Sequence, residues 1–174
     1  MSAWIVRIGQ FDHHALLALV NRRTPLLDAV MRSVTHIGSA PVMIAAAAAL
    51  AFLAGPPLDD AGAVSAFALA GSHAIVQLLK RTVARPRPRL PAGIGSLIAA
   101  PDRFSFPSGH SAATLSVALP VAMALSPLVG AGTLALAVVV GLSRCYLGVH
   151  YPGDVLAGWL LALLGVGLGV AVGL

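Results

Sequence analysis

Three separated stretches of this 174-residue sequence place cations and histidines at spacings suited to phosphate chemistry. A buried arginine or histidine in an apolar chain costs several kcal/mol unless it has a partner. An anionic ligand is a partner that all three stretches could share. We therefore predict a site for a phosphoryl group, built from Lys80 and Arg87, then Ser108, Gly109 and His110, then Arg144, His150 and Asp154.

Each cation in the set suits a phosphate in its own way. Lys80 is the only lysine in the chain and offers a compact ammonium, whereas Arg87 and Arg144 each offer a planar fork of donors. Ser108 and Gly109 stand where a helix should begin, so backbone amides and the positive helix end would add further donors. Taken alone, Ser108 is equally well explained as a helix cap, and Arg144 as an interfacial anchor.

The histidines can divide the chemistry of phosphoryl transfer. A neutral imidazole is a competent nucleophile, and Asp154, four residues after His150, could orient that ring through its other nitrogen. His110 could protonate the leaving oxygen and then activate water. Asp154 alone could be merely the N-cap of the last helix, and the two roles are compatible.

The composition places this site in a membrane. Hydrophobic residues make up 58% of the chain and charged residues 10%, with a mean hydropathy of +0.91, so there is too little polar surface to cover a soluble globule. We predict an all-α integral membrane helical bundle of five to six transmembrane helices. Five apolar runs approach the roughly 20 residues that a crossing needs, over residues 40–53, 61–79, 112–125, 132–142 and 155–174.

We predict a single domain, residues 1–174. Two of its segments are less apolar than the five runs. Residues 1–38 are predicted to form an amphipathic interfacial segment, broken near Thr24-Pro25. The sequence leaves open whether residues 11–38 contribute an extra span. The opening residues lack the pattern of a cleavable signal peptide. Residues 80–107 are rich in arginine and proline and are predicted to form a loop on the active-site face.

Alternating crossings bring the three stretches together. The second span ends at Lys80, the third begins after His110, the fourth ends near Arg144 and the fifth begins at Asp154. All four ends therefore share one membrane face, and the topology alone predicts that the stretches converge.

In their residues and spacing the three stretches resemble the motifs of the type 2 phosphatidic acid phosphatase superfamily, which also includes vanadium haloperoxidases and bacterial class A acid phosphatases. Six residues separate Lys80 from Arg87-Pro88, residues 107–110 read Pro-Ser-Gly-His, and five residues separate Ser143-Arg144 from His150. The apolar spans favour the membrane lipid phosphate phosphatase branch.

The resemblance implies a phosphohistidine intermediate on His150, with His110 as general acid and base. It also implies phosphate binding by Lys80, Arg87, Ser108, Gly109 and Arg144, and catalysis without metal or cofactor. We therefore expect a lipid phosphate phosphatase. Candidate substrates are a polyprenyl diphosphate such as undecaprenyl diphosphate, phosphatidate or phosphatidylglycerol phosphate. The alternatives are a phosphatase of a polyprenyl-linked phosphosugar on the cytoplasmic face, or a carrier that binds a lipid phosphate without cleaving it.

The basic residues at the predicted site also bear on partners and location. The formal net charge is +5, but the basic residues flank apolar spans, which favours anionic membrane lipids over nucleic acid as partners. We expect a multi-pass protein of the cell (inner) membrane. The positive-inside rule favours a cytoplasmic site and the family resemblance an extracytoplasmic one, and the sequence leaves both sides and the oligomeric state open.

Other polar residues receive lesser roles. His73, seven positions before Lys80, is predicted to be a hydrogen-bonded packing residue or a support for the site. Arg85 is assigned to solvent or lipid headgroups. The single cysteine, Cys145, is expected to be a packing residue.

Overall fold

The computed structural model describes residues 3–100 and 102–174, and these residues form seven helices and no strand. The all-α prediction is therefore confirmed for the described chain. In order, the helices are α1 (Ala3–Val20), α2 (Pro25–Ile37), α3 (Ala40–Leu53), α4 (Leu58–Val83), α5 (Gly109–Ala124), α6 (Pro127–Tyr146) and α7 (Pro152–Ala171).

Local sequence sets most of these boundaries. Proline occupies the first turn of α2, α3, α6 and α7, where its missing N–H removes no intrahelical hydrogen bond. The Thr24 hydroxyl accepts from the Leu27 amide and caps α2, so the predicted break near Thr24-Pro25 is observed. Helix α4 continues past Lys80 to Val83. The loop therefore begins later than the predicted residue 80, and Lys80 projects from the last turn of a helix.

Helix α5 lies at the centre of the bundle and packs against α3, α4, α6 and α7. Its buried face is built mainly from small residues, such as Ala112, Ala113 and Ser116, which allow neighbouring backbones to approach closely. At 16 residues it extends only about 24 Å along its axis. Since its neighbours surround it, the N-terminus of α5 lies inside the bundle, where it can form the floor of a site.

Three helices, α4, α6 and α7, are long and apolar enough to cross a bilayer. Helices α2 and α3 meet at a 52° bend and together give a possible fourth span. The predicted apolar runs coincide with α3 to α7, but α3 alone and α5 are shorter than a full crossing. The protein is thus a multi-pass membrane helical bundle with three to four candidate spans, and the predicted five to six remain a prediction.

The segment before α3 is joined to the end of α6. The Arg23 guanidinium donates to the Tyr146 carbonyl at 2.8 Å, and the Tyr146 hydroxyl donates to Asp28 at 2.7 Å. Cys145 is buried beside Leu16 of α1, in the packing role expected for it. The interfacial location of residues 1–38 stays a prediction, but α1 contacts α6 and α7, and α2 contacts α3 and α6.

A glycine on α7 tests the close approach of α5 and α7. A Cβ at Gly158 would lie 2.5 Å from the Ser108 carbonyl, whereas one at Gly167 of the same helix would meet nothing within 4 Å. We expect Gly158→Val to destabilise the protein by about 1–3 kcal/mol or more through overpacking. Thermal unfolding in detergent should show a lower midpoint for Gly158→Val and little change for Gly167→Val. Equal midpoints for the two variants would contradict the packing described.

Candidate active site

A cavity of about 490 Å³ lies where α4, α5, α6 and the loop before α7 meet. Its lining includes residues from all three predicted stretches: Lys80, Gly109, His110, Arg144 and His150. The predicted convergence of the helix ends is therefore what the fold produces.

His150 is almost completely buried at the start of the turn before α7, with 2% of its surface exposed. Its Nδ1 lies 3.6 Å from Asp154 Oδ2, slightly beyond hydrogen-bond distance, and such contacts are often long before substrate binds. The same Asp154 oxygen accepts from the Tyr151 amide at 2.9 Å. Asp154 therefore caps α7 and also faces the imidazole.

The other nitrogen of His150 faces Arg87. Arg87 Nη1 lies 3.2 Å from His150 Nε2 and donates to the Val149 carbonyl at 2.7 Å. A guanidinium can only donate, so Nε2 is the acceptor and Nδ1 carries the proton of the neutral ring. That tautomer directs Nδ1–H toward Asp154 and leaves a lone pair on Nε2, which accepts from Arg87.

The surroundings of His150 favour the neutral ring. Burial, together with the charges of Arg144 and Arg87, lowers the pKa of His150 to about 4, although Asp154 acts in the opposite direction. Near pH 7 the imidazole therefore carries no proton on Nε2 and can attack an electrophile.

Lys80 and Arg87 share a carboxylate that the sequence analysis missed. Asp102 Oδ2 lies 2.5 Å from Lys80 Nζ, and Oδ1 accepts from Arg87 Nη2 at 2.9 Å. Burial opposes ionisation of Asp102, but the hydrogen bond and charge of Lys80, with Arg87, lower its pKa overall. The available signal was that Asp102 is the only acidic residue within the basic stretch 80–107.

Arg144 projects into the cavity from the last turn of α6. Only 2% of its surface is exposed, and its Nη1 donates to Thr35 Oγ1 at 2.5 Å. Among the described residues its buried Nε has no hydrogen-bond partner. Buried donors are nearly always paired, so this guanidinium has spare capacity for an anion in the cavity. Thr35 of α2 carried no recognisable signal in the sequence.

Ser108 and Gly109 have different positions in the structure. Ser108 is fully buried, and its hydroxyl accepts from both the amide and the hydroxyl of Ser111, which is the role of a helix cap. Ser108 does not line the cavity, whereas Gly109 does. A direct contact of Ser108 with phosphate stays a prediction, while Gly109 and the first turn of α5 face the cavity directly.

Arg85 forms a second carboxylate bridge behind His150. Its Nη1 donates to Asp154 Oδ1 at 2.8 Å and its Nη2 to Asp12 Oδ2 at 2.6 Å. Asp12 of α1 also accepts from the Gly153 amide at 2.7 Å. Burial opposes the charge of Arg85, but the two aspartates raise its pKa overall. The assignment of Arg85 to solvent or headgroups was wrong, because sequence spacing gave no sign that Asp12 lies here.

The sequence profile of the PAP2 superfamily matches residues 61–172, which is more than half of the chain. The chain belongs to the PAP2 superfamily. It is 36% identical over 157 residues to a decaprenylphosphoryl-5-phosphoribose phosphatase of Mycobacterium tuberculosis, covering 90% of this chain and 81% of that protein. These findings confirm the resemblance on which the sequence analysis relied.

Two solved structures of the superfamily share the fold. LpxE of Aquifex aeolicus superimposes with a TM-score of 0.81 at 26% identity, covering 91% of this chain and 93% of that one. A PAP2-type phosphatidylglycerolphosphate phosphatase from Bacillus subtilis gives 0.78 at 29% identity, covering 95% and 86%. The prediction of a membrane lipid phosphate phosphatase is confirmed at this level.

The Arg85 bridge predicts a positioning role in this PAP2 protein. Arg85→Gln removes a charged hydrogen bond worth about 1.5–3 kcal/mol, so Asp154 should shift. We expect kcat to fall about 10-fold to 100-fold, while KM changes little. Steady-state phosphate release would measure both constants. Arg85→Lys should retain part of the rate, and exposed Arg81→Gln is the matched control. A kcat for Arg85→Gln within twofold of wild type would rule out this role.

The environment of His150 predicts an unusually low titration midpoint. Because burial, Arg144 and Arg87 disfavour the imidazolium, the ring should stay neutral as pH falls through the ordinary histidine range and should protonate only near pH 4. Long-range proton–nitrogen NMR of histidine-labelled protein would follow it, with His150→Asn identifying the signal. A midpoint of 6.5 or above would contradict the described surroundings.

Proposed function

We propose that this PAP2 protein hydrolyses a phosphomonoester or diphosphate of a membrane lipid through a phosphohistidine on His150. The observation that carries the proposal is the cavity in which a buried guanidinium with a free Nε, that of Arg144, lies beside a neutral imidazole. A phosphoryl group would satisfy the guanidinium and at the same time be the electrophile that the imidazole attacks.

In the first step the lone pair of His150 Nε2 attacks phosphorus. The N–P bond forms as the bond to the lipid oxygen breaks, and His110 donates a proton to that leaving oxygen. Arg87 Nη1, 3.2 Å from Nε2, would stabilise the equatorial oxygens together with Lys80 and Arg144. Asp154 would stabilise the positive charge that forms on the ring, and Arg85 would hold Asp154 in place.

In the second step water attacks the phosphohistidine. His110 now accepts the proton of the water, the N–P bond breaks, and inorganic phosphate leaves with His150 neutral again. Phosphate oxygens that engage Lys80 and Arg87 would exchange with the Asp102 carboxylate, which holds both cations in the structure. His110 therefore regains from water in the second step the proton that it donates in the first step.

The apolar side of the cavity suits a lipid tail. Pro41 and Ile44 of α3 and Leu69 and Val76 of α4 line it, so the cavity leads from the cations into the apolar part of the bundle. Lipids with a single phosphate or a diphosphate fit this arrangement, including phosphatidate, phosphatidylglycerol phosphate and undecaprenyl diphosphate. The similarity to a decaprenylphosphoryl-5-phosphoribose phosphatase adds polyprenyl-linked phosphosugars. We assign the protein to the cell (inner) membrane.

A covalent intermediate is the test of this mechanism. Rapid quenching with a radiolabelled lipid phosphate should trap label that is stable to base and labile to acid, as expected for phosphohistidine. His150→Ala should abolish both the label and phosphate release, and His110→Ala should slow both steps, by roughly 100-fold or more for a lost acid–base group. His14→Ala, at an exposed histidine of α1, should behave as wild type.

The same experiment separates an enzyme from a carrier. A carrier would bind the labelled lipid without releasing phosphate, and the His150→Ala variant would bind it equally well. A wild-type protein that turns over no lipid phosphate in a broad panel would therefore overturn the proposal. Retention of label by His150→Ala would overturn the assignment of the nucleophile alone.

A further inference from the structure

Two polar side chains line the cavity on its membrane side, apart from the catalytic groups. His73 and Gln77 project from α4 into the same space as Lys80, and both are exposed rather than packed. Residues three and seven positions apart share one face of a helix, so Lys80, Gln77 and His73 form a row along one wall. The prediction that His73 is a packing residue is therefore wrong.

The pair keeps hydrogen-bonding capacity free. His73 Nε2 lies 3.3 Å from Gln77 Nε2, and since an amide nitrogen only donates, His73 accepts through Nε2 and carries its proton on Nδ1. Within the described chain this is the only side-chain hydrogen bond found for either residue. The Nδ1–H of His73 and the amide oxygen and second N–H of Gln77 remain for a ligand.

The row has a definite direction. Helix α4 ends at Val83 on the active-site face, so earlier residues lie deeper in the membrane. At about 1.5 Å per residue, Gln77 lies about 4.5 Å and His73 about 10.5 Å below Lys80 along the axis. The other cavity residues at this depth are mainly apolar, including Ile44, Leu69, Ala70 and Ala113. Exposed polar groups in such surroundings are costly unless they have a function.

From this arrangement we propose that His73 and Gln77 form a subsite for a hydrogen-bonding unit of the substrate that lies between the scissile phosphate and the lipid tail. The unit is a second phosphate, as in a diphosphate or a phosphodiester, or the hydroxyls of a sugar or glycerol. The inference rests on the proposed function, because it takes the phosphate to bind at Lys80. The subsite narrows the class of substrate, which the proposed function left open, to lipids with a polar unit next to the scissile phosphate.

The consequence is a preference among lipid phosphates. A lipid with a polar unit on the tail side of its terminal phosphate would meet Gln77 first and His73 next, since these residues lie about 4.5 Å and about 10.5 Å below Lys80 along the helix axis. Phosphatidate and polyprenyl monophosphates would leave the pair facing tail methylenes, and unpaired polar groups penalise such ligands. Substrates that carry the inner polar unit should therefore have the higher kcat/KM.

Matched substrate pairs test the subsite. Geranylgeranyl diphosphate and geranylgeranyl monophosphate share a tail and report on a second phosphate. Phosphatidylglycerol phosphate and phosphatidate with equal acyl chains report on the phosphoglycerol unit. Wild-type protein should prefer the first member of at least one pair by about tenfold in kcat/KM, the scale of one or two hydrogen bonds. His73→Leu/Gln77→Leu should lose that preference, and its kcat/KM for the simpler member should not fall below the wild-type value, because no polar group is then left unpaired beside the tail.

Controls make the result specific. Leu78→Ala alters a lipid-facing residue of the same helix, 60% exposed, and should keep the wild-type preference. Wild-type protein without preference in either pair, or an unchanged preference in the double leucine variant, would overturn the subsite. An equal loss for both members of each pair would also overturn it, since that is the behaviour of a packing role.

A binding measurement separates this inference from the proposed function. In a His150→Ala background, which cannot form the phosphohistidine, the first member of at least one of the two pairs should bind about tenfold more tightly than the simpler member of that pair, and the added leucines should remove the difference. The two lipids compared are the members of that pair, or of both pairs where neither shows a difference. If the wild-type protein hydrolyses none of these lipids but the binding difference is still observed, only the catalytic proposal is overturned. Equal binding of the two lipids would overturn the subsite alone.

Discussion

Positive charge buried at one end of an apolar bundle is the constraint on which the rest of the structure depends. Three carboxylates compensate it, and each joins segments that are far apart in sequence. Asp102 holds Lys80 and Arg87, while Arg85 bridges Asp154 of α7 and Asp12 of α1. Breaking a buried pair leaves an uncompensated charge. The N-terminal helix and the long loop are therefore held against the catalytic end by the electrostatics of the site itself.

Among the described residues the compensation is incomplete at Arg144, and this is where chemistry is proposed. Arg144 has a partner in Thr35 but an unpaired Nε, and beside it the His150 ring is kept neutral by burial and by neighbouring cations. An anionic phosphoryl group would supply the partner that this guanidinium lacks. The same low-dielectric surroundings that disfavour the imidazolium would also strengthen every contact to the transition state.

The shortness of α5 connects the catalytic end with the lipid side. Because this central helix begins at Gly109 among the longer helices α4, α6 and α7, its first turn forms the floor of a recess rather than a surface. The recess continues along α4 toward the apolar interior, past Gln77 and His73. Phosphate, polar linker and tail would thus each meet a different section of one continuous wall, in the order in which a lipid phosphate carries them.

The sequence by itself determined the helical class, the five apolar runs, the break at Thr24-Pro25 and the convergence of three motifs, because hydropathy and alternating crossings fix which helix ends share a face. Spacing also indicated His150, His110 and Asp154 as a set. Only the tertiary structure decided the partners. Asp12 is 73 residues from Arg85 and Thr35 is 109 from Arg144, and no local pattern encodes a contact between residues so far apart. The structure likewise placed Ser108 as a buried cap and His73 in the cavity, since the direction in which a side chain points depends on how neighbouring helices pack.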